Sequence, residues 1–125
     1  MTIRKAVFAI LLFASPAFAH GDAPAPAHGG MVVEGSEHWV ELTVAGDQVT
    51  AWVSGNDQMP IPGAQLGGKA TVLVGGKSQV VVLSPAEGNS ITGKLSAPAM
   101  GQVTAVLALT AGGKPVQVKF VVPAK

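Results

Sequence analysis

The sequence predicts an all-β domain, a two-sheet antiparallel β-sandwich of the immunoglobulin-like kind with about eight strands. Valine supplies 17 of the 106 residues that follow a predicted signal peptide, and its branched Cβ favours pleated, half-buried strands. Segments rich in Val, Leu and Thr alternate with Gly pairs or Gly-Asp, and none of them has a sustained helical period. Turn signals roughly every 8–12 residues are typical of a sandwich, and a small closed barrel is the alternative.

The first 19 residues have the order of a secretory signal peptide. Arg4 and Lys5 precede an unbroken apolar run over residues 6–14, and residues 17–19 read Ala-Phe-Ala, a small-x-small cleavage site. The run is too short to span a bilayer, which needs roughly 20 residues, and a retained anchor is the alternative. We therefore expect cleavage after Ala19, export and a periplasmic location.

The first predicted hairpin turns at residues 46–47. Pairing Val44 with Val49 places six apolar side chains on one face, and glycine at the first turn position suits a type II′ turn. Trp39 and Trp52 lie on the other face, diagonally within reach of each other. Either a loop covers these rings or they form an exposed aromatic patch of the kind that marks a partner surface.

Two further hairpins are predicted at Gly-Gly pairs. Around residues 112–113, pairing Leu109 with Val116 gives a face that is apolar throughout, as a sandwich interior requires. At residues 75–76 we expect a three-residue loop through Lys77, because this loop gathers the apolar residues of both strands on one face. Those residues are Ala70, Val72, Val74, Val80 and Val82.

Short strands over residues 31–34 and 90–96 complete the predicted set. Proline and glycine mark residues 56–68 as the longest internal loop, which we expect to cross between sheets. Residues 20–30 have no apolar periodicity and are expected to form a flexible, His-containing tail. The predicted organisation is a signal peptide over 1–19, the tail over 20–30 and the β-sandwich domain over 31–125.

Composition argues against several classes of function. Residues 20–125 contain six Lys, no Arg and seven acidic residues, which gives a net charge of −1 with neutral His. Without Arg, nucleic acid is not an expected partner, and the near-neutral net charge indicates no attraction to anionic membranes or insertion into them. The absence of Cys excludes disulfides, thiolate zinc sites and the blue-copper ligand set.

Motifs of catalysis are also missing. The sequence contains no nucleophile elbow, no HExxH, no nucleotide-binding glycine fingerprint and no phosphate loop. The Gly pairs are accounted for by hairpin turns. We therefore expect a protein that is not an enzyme.

All three histidines lie near the start of the predicted mature chain: His20, His28 and His38. Cleavage after Ala19 would leave His20 with a free α-amine beside its imidazole, and these nitrogens suit Cu(II), Ni(II) and Zn(II). A second histidine would extend the nitrogen set, and Asp22 adds a carboxylate oxygen. The sequence therefore predicts a metal site made of His20, Asp22, His28 and His38.

Each histidine also has a structural alternative. In this alternative, His20 is at the N-terminus by chance and has no role there, and His28 is a solvated residue before a Gly-Gly hinge. His38 shares a face with Val40, which directs its ring to the interior rim, where a neutral, hydrogen-bonded histidine is the common outcome. If a hairpin forms at residues 35–36, the strand before the turn runs away from His38 and back towards His28 over roughly 16 Å. A metal site without His38 is therefore easier to close.

Two methionines offer a softer site. Met59 and Met100 both stand beside proline-containing loop sequence, and thioether sulfur binds Cu(I). Packing of irregular gaps at the ends of the domain is the alternative.

The sequence resembles a family of small exported proteobacterial proteins with the pattern HGG-x-V-x-E, then a His or Tyr with E-L. Residues 28–34 (HGGMVVE) and 37–42 (EHWVEL) carry the resemblance, which the stretch over residues 63–72 continues loosely. Similar domains occur with periplasmic adaptor subunits of heavy-metal efflux pumps. The resemblance implies metal handling, with His28 and His38 as the positions that carry over.

The chain departs from that family after the second strand, where relatives often have an acidic or His-containing DHDGKP-like turn. Residues 54–60 read SGNDQMP here, so only Asp57 and Pro60 match and the histidine is absent. The chain is also weakly similar to copper-resistance β-sandwich proteins whose mature form begins with a metal-binding His, a position that His20 would take.

Two functions are therefore expected. The first is a periplasmic, non-catalytic protein that binds copper or zinc and buffers the metal or delivers it to an efflux-system component. The alternative is a metal-free envelope interaction module that docks through the Trp39/Trp52 face or through a sheet edge.

Overall fold

The computed structural model of the protein describes residues 23–125. The predicted signal peptide, His20 and Asp22 lie outside the described residues. The all-β prediction is confirmed, because the described chain forms eight antiparallel strands and one short 3-10 helix. None of its helices has the length and apolar character needed to cross a membrane.

The strands follow one another with short connections. Their bounds are β1 (Met31–Gly35), β2 (His38–Ala45), β3 (Gln48–Gly55), β4 (Leu66–Val74), β5 (Lys77–Pro85), β6 (Ser90–Lys94), β7 (Gln102–Ala111) and β8 (Lys114–Pro123). The 3-10 helix (Gly63–Gln65) lies between β3 and β4. The predicted loop over residues 56–68 is shorter in the structure, because residues 66–68 already belong to β4, and the loop joins two strands that are not neighbours in the sheet.

All eight strands belong to one sheet with the order β1-β2-β3-β6-β5-β4-β7-β8. The first half (β1-β2-β3-β6) and the second half (β5-β4-β7-β8) are joined by only two residue pairs between β5 and β6. At the other edge β1 lies against β8, where a Cβ added to Gly35 would be 2.7 Å from the carbonyl oxygen of Gln117. The sheet is therefore nearly closed, and two separate sheets are not confirmed.

The registers of two hairpins are as predicted. Val44 pairs with Val49 in the β2–β3 hairpin, and Leu109 pairs with Val116 in the β7–β8 hairpin. In β3, β7 and β8, side chains alternate between a buried and a more exposed face because successive residues of a strand point to opposite sides. In β2 the first five residues, 38–42, are all buried, so both faces of that strand are covered there.

The predicted register of the β4–β5 hairpin is wrong. Val74 pairs with Lys77, so the loop has two residues, Gly75 and Gly76, rather than three. Both glycines have positive φ, 58° and 82°, as in a type I′ turn, whose twist matches that of the flanking strands. The one-residue difference reverses the faces of β5: Val81 and Leu83 are buried, whereas Val80 and Val82 point outward.

The core lies between the two halves of the sheet. Its largest fully buried side chains include Phe120, Leu42, Ile91 and Leu107, which come from both halves. Gly93 permits a close approach near the junction of the halves, since a Cβ there would be 2.4 Å from the carbonyl oxygen of Val82. A side chain at this position is therefore incompatible with the β5–β6 contact.

We expect Gly93→Ala to lower the free energy of unfolding by roughly 1–3 kcal/mol, because the added methyl overpacks the junction. Gly67→Ala is the matched control, since its Cβ would meet only Thr110 Oγ1 at 3.6 Å. Urea unfolding followed by circular dichroism measures both. Equal stability of the two variants would contradict the tight contact at the junction.

Candidate functional site

The outer face of the first half carries the chemically distinctive side chains. Val40 and Leu42 of β2 point into the core, so Trp39 and Glu41, which alternate with them along the strand, point outward. Glu41 is paired across the strands with Trp52 of β3. A carboxylate therefore lies beside two indole rings on the same face.

Residues 23–30, which we call the strap, lie across this face and are attached to it by Glu41. The Glu41 carboxylate accepts hydrogen bonds from the backbone N–H groups of Ala27 (3.1 Å), His28 (2.9 Å) and Gly30 (2.9 Å). Gly29 provides the positive φ of 74° that turns the strap around the carboxylate. The strap belongs to the tail that the sequence predicts to be flexible, and its flexibility stays a prediction.

His28 is held on two sides. Its Nδ1 lies 2.9 Å from Oε1 of Glu41, and its ring stacks on Trp52 with the centroids 3.8 Å apart and the planes 4° from parallel. The carbonyl oxygen of His28 accepts a hydrogen bond from Nζ of Lys125 at 3.4 Å. The histidine ring is 41% exposed, so its orientation is fixed while one edge remains open to solvent.

The environment of Glu41 favours its charged form. Burial by itself raises the pKa of this carboxyl, but hydrogen bonds from the His28 side chain and from the N–H groups of Gly30, His28 and Ala27 outweigh it. The pKa of Glu41 is therefore below its ordinary value of 4.5. Because the carboxylate can only accept, Nδ1 of His28 donates to it.

This donation determines the tautomer of neutral His28. With the proton on Nδ1, the ring nitrogen Nε2 carries a free lone pair, and it has no hydrogen-bond partner within residues 23–125. A histidine whose second nitrogen donates to a carboxylate is the usual arrangement of a metal ligand, because the carboxylate orients the ring and increases its basicity.

The stacked pair of His28 and Trp52 borders an open groove of about 670 Å³. Polar side chains line much of the rest of the groove, among them Thr50, Thr92 and Asn89. A smaller cavity of about 150 Å³ lies between the strap and the sheet. The geometry provides one oriented imidazole at the edge of an open groove.

The structure places the predicted ligands apart. His38 lies on the core face with Val40, is 8% exposed, and has its Nδ1 2.6 Å from the carbonyl oxygen of Ser36. His28 lies on the opposite face of the sheet, so the two histidines are not brought together. His20 and Asp22 are outside the described residues, and residues 23–125 contain no group of three His, Cys, Asp or Glu side chains that could hold a metal.

The packing alternative for Met59 and Met100 is not supported, and the Cu(I) site stays a prediction. Met59 is 63% exposed in the connection between β3 and β4, and Met100 is 81% exposed between β6 and β7. Neither side chain fills a gap in the interior.

The two tryptophans are covered by the strap. Trp39 is only 7% exposed, and its indole N–H has no partner in the described part of the chain. Trp52 is partly buried beneath the ring of His28. Of the two alternatives that the sequence leaves open, the rings are covered rather than presented as an exposed patch.

Glu41 is the residue whose role the sequence did not reveal. It appears there only as part of the EHWVEL segment. The available signal was a charged residue flanked by buried strand positions and paired with a tryptophan, because such a carboxylate needs several hydrogen-bond donors to compensate its burial.

Comparison of the chain with protein-family models, with curated proteins and with solved structures gives no match. The resemblance to the HGG-containing exported proteins therefore stays a prediction.

We expect Glu41→Gln to lower the free energy of unfolding at neutral pH by roughly 1–3 kcal/mol, because the amide cannot accept from all four donors. The lowered pKa means that the ionised carboxylate contributes stability that is fully present above pH 4.5 and is lost as pH falls through the folded-state pKa. The advantage of the unmodified protein over the variant should therefore shrink in acid.

Circular dichroism during urea unfolding, at several pH values and with a chelator present, measures this difference. Glu37→Gln is the matched control, since it removes one exposed carboxylate from the β1–β2 turn. A difference between Glu41→Gln and the unmodified protein that does not change with pH would contradict the assigned role of the charge.

Proposed function

We propose that the protein binds Cu(II) or Zn(II) without catalysing a reaction, and that it buffers the metal in the periplasm or delivers it to an efflux-system component. The observation that supports this function is the oriented imidazole of His28. Its Nδ1 is held by the buried Glu41, its Nε2 has no hydrogen-bond partner among the described residues, and its partly exposed side chain lines the groove. Imidazole nitrogen is a preferred ligand of both ions.

Glu41 acts in this proposal as the residue that positions the ligand. Its oxygens already accept from three backbone N–H groups and from His28, so they are not needed as ligands. Support of this kind fixes the orientation of the imidazole and leaves Nε2 as the nitrogen that can bind a metal ion. When bound, the metal ion would accept the nitrogen ligand that the chain provides, and no reaction of the metal is part of the proposal.

One imidazole is too few ligands for a tight site, since zinc and copper sites use three or four protein ligands. The remaining ligands in this proposal are the α-amine and imidazole of His20 and the carboxylate of Asp22. At most about 20 Å of extended chain separates Asp22 from His28, which is enough for the segment to fold back. His38 is left out because it lies on the core face and bonds to the Ser36 carbonyl.

The sandwich arrangement is part of the same proposal. Two residue pairs are a weak connection between β5 and β6, and the shared core lies between the two four-stranded halves. We therefore describe the domain as two halves packed face to face, with the strap on the outer face of one of them.

The metal-free alternative, docking through the Trp39/Trp52 face, has less support. Trp39 is buried and Trp52 is stacked under His28, so a partner would have to displace the strap and break the bonds to Glu41. No observation on this face favours a particular partner over a metal ion.

We expect His28→Phe to weaken Cu(II) and Zn(II) binding by about 100-fold or more, because phenylalanine retains the stack on Trp52 but has no nitrogen. Glu41→Gln should weaken binding about tenfold or more, through loss of the orienting bond. Isothermal titration with each metal measures both, using protein purified from cells that express the full chain, with its N-terminus determined by mass spectrometry.

His38→Gln is the matched control, since it removes a histidine from the core face and should leave the affinity unchanged. Equal affinity of His28→Phe and the unmodified protein would overturn the proposed ligand. An affinity no higher than that of a free histidine peptide would overturn the function and leave partner docking, which Trp52→Ala would then impair.

A further inference from the structure

Charge is distributed unequally between the two halves of the sheet. All six lysines that follow the predicted signal peptide lie at or after Lys69, whereas only one of the seven acidic residues, Glu87, lies beyond that point. The strands of the second half contain four lysines and no Asp or Glu: Lys69, Lys77, Lys114 and Lys119. The small net charge of the chain therefore conceals a half that is purely cationic.

The outward-pointing residues of the second half form a continuous surface, which we call the lysine–valine face. Lys69 of β4 is paired with Val82 of β5, and Lys119 of β8 is paired with Val106 of β7. The pairing of β4 with β7 connects these two ladders. Between β4 and β7, Lys69 faces Ala108 and Thr71 faces Val106, so the four strands present lysine, valine and smaller side chains on one continuous face.

The large aliphatic residues that are exposed in the described chain all lie on this face. Val80 is 62% exposed, Val82 70%, Leu73 43% and Val121 43%, whereas the other large exposed apolar residues are methionines elsewhere. Val80 and Val82 point outward because the two-residue Gly-Gly turn sets the register of β5. Within residues 23–125, neither Lys69 nor Lys119 forms an ion pair.

A second copy of the chain is a poor occupant of this face. Four strands about 4.8 Å apart, each nine or ten residues long at about 3.3 Å per residue, give a face of roughly 600 Å². A stable protein interface buries about 800 Å² on each partner. The face also has no outward-pointing aromatic residue, Met or Arg, the residues on which protein interfaces mainly depend.

We propose that the lysine–valine face adsorbs reversibly to an anionic lipid surface. Lys69 and Lys119 attract the headgroups, each contributing about 1 kcal/mol near such a surface, and no carboxylate on these strands opposes them. Val80, Val82 and Leu73 contact the boundary of the acyl chains, where apolar burial adds to the attraction. A fluid lipid surface needs neither the area nor the anchor residues that a protein interface requires.

This adsorption is independent of metal binding, because the two sites lie on different halves of the sheet. When this protein is adsorbed on lipid through the second half, the strap and its groove remain on the opposite side. Loss of either property would leave the other intact, so the two proposals fail separately.

Co-sedimentation with vesicles tests the proposal. The probes are vesicles of phosphatidylglycerol and phosphatidylcholine in equal parts, and vesicles of phosphatidylcholine alone. The protein is purified from cells that express the full chain, and one preparation with a determined N-terminus is used as the reference for all variants. We expect binding to the anionic vesicles only, weakening as ionic strength rises.

Matched variants locate the binding surface. Lys119→Glu should weaken binding about fivefold or more, whereas Lys94→Glu, with the same change of charge on β6 of the first half, should not. Val80→Thr with Val82→Thr should weaken it about fourfold for each methyl lost, whereas Met59→Gln should not. All of these positions are exposed, and circular dichroism checks that each variant is folded.

Several outcomes would overturn the proposal. These are no binding to the anionic vesicles, equal binding to both kinds of vesicle, or equal losses in Lys119→Glu and Lys94→Glu. Sedimentation velocity tests a further outcome. If the unmodified protein is a dimer and the double variant Val80→Thr with Val82→Thr is a monomer, a second copy of the chain occupies the face instead of lipid.

Discussion

The carboxylate of Glu41 is the group on which the outer face of the first half depends. It is nearly buried, and four hydrogen-bond donors surround it: three backbone N–H groups of the strap and the imidazole of His28. A buried charge is stable only when its hydrogen-bond acceptor sites are satisfied. The carboxylate therefore needs the donors of the strap, and the strap is held in place by the carboxylate. The stack of His28 on Trp52 and the burial of Trp39 both follow from this attachment.

Closure of the sheet places a second constraint on the molecule. Only two residue pairs join the halves at one edge, and β1 meets β8 at the other. Both contacts bring backbone close to a glycine, Gly93 at the first and Gly35 at the second, where a Cβ would overlap a carbonyl oxygen. The halves are therefore held by a shared apolar core and by close backbone approaches, which leaves their two outer faces free to differ.

Those two outer faces differ in chemistry. One has a carboxylate, an oriented imidazole and two indoles beneath a strap, which suits a metal ion. The other has lysines and exposed valines on strands without a carboxylate, which suits an anionic surface. The domain can carry both because strand alternation separates the outward residues of each half from the common core.

The sequence by itself determined the all-β class, the registers at residues 46–47 and 112–113, and the burial of His38 beside Val40, because each of these follows from alternation around a short turn. Only the tertiary structure decided the register at Gly75-Gly76, where turn twist outweighed the count of apolar residues. It also decided that His28 lies over Trp52 and that Lys69 and Lys119 share an outer face with Val80 and Val82. These features depend on contacts between residues far apart in the chain, such as the 13 positions between His28 and Glu41, and local patterns carry no information about them.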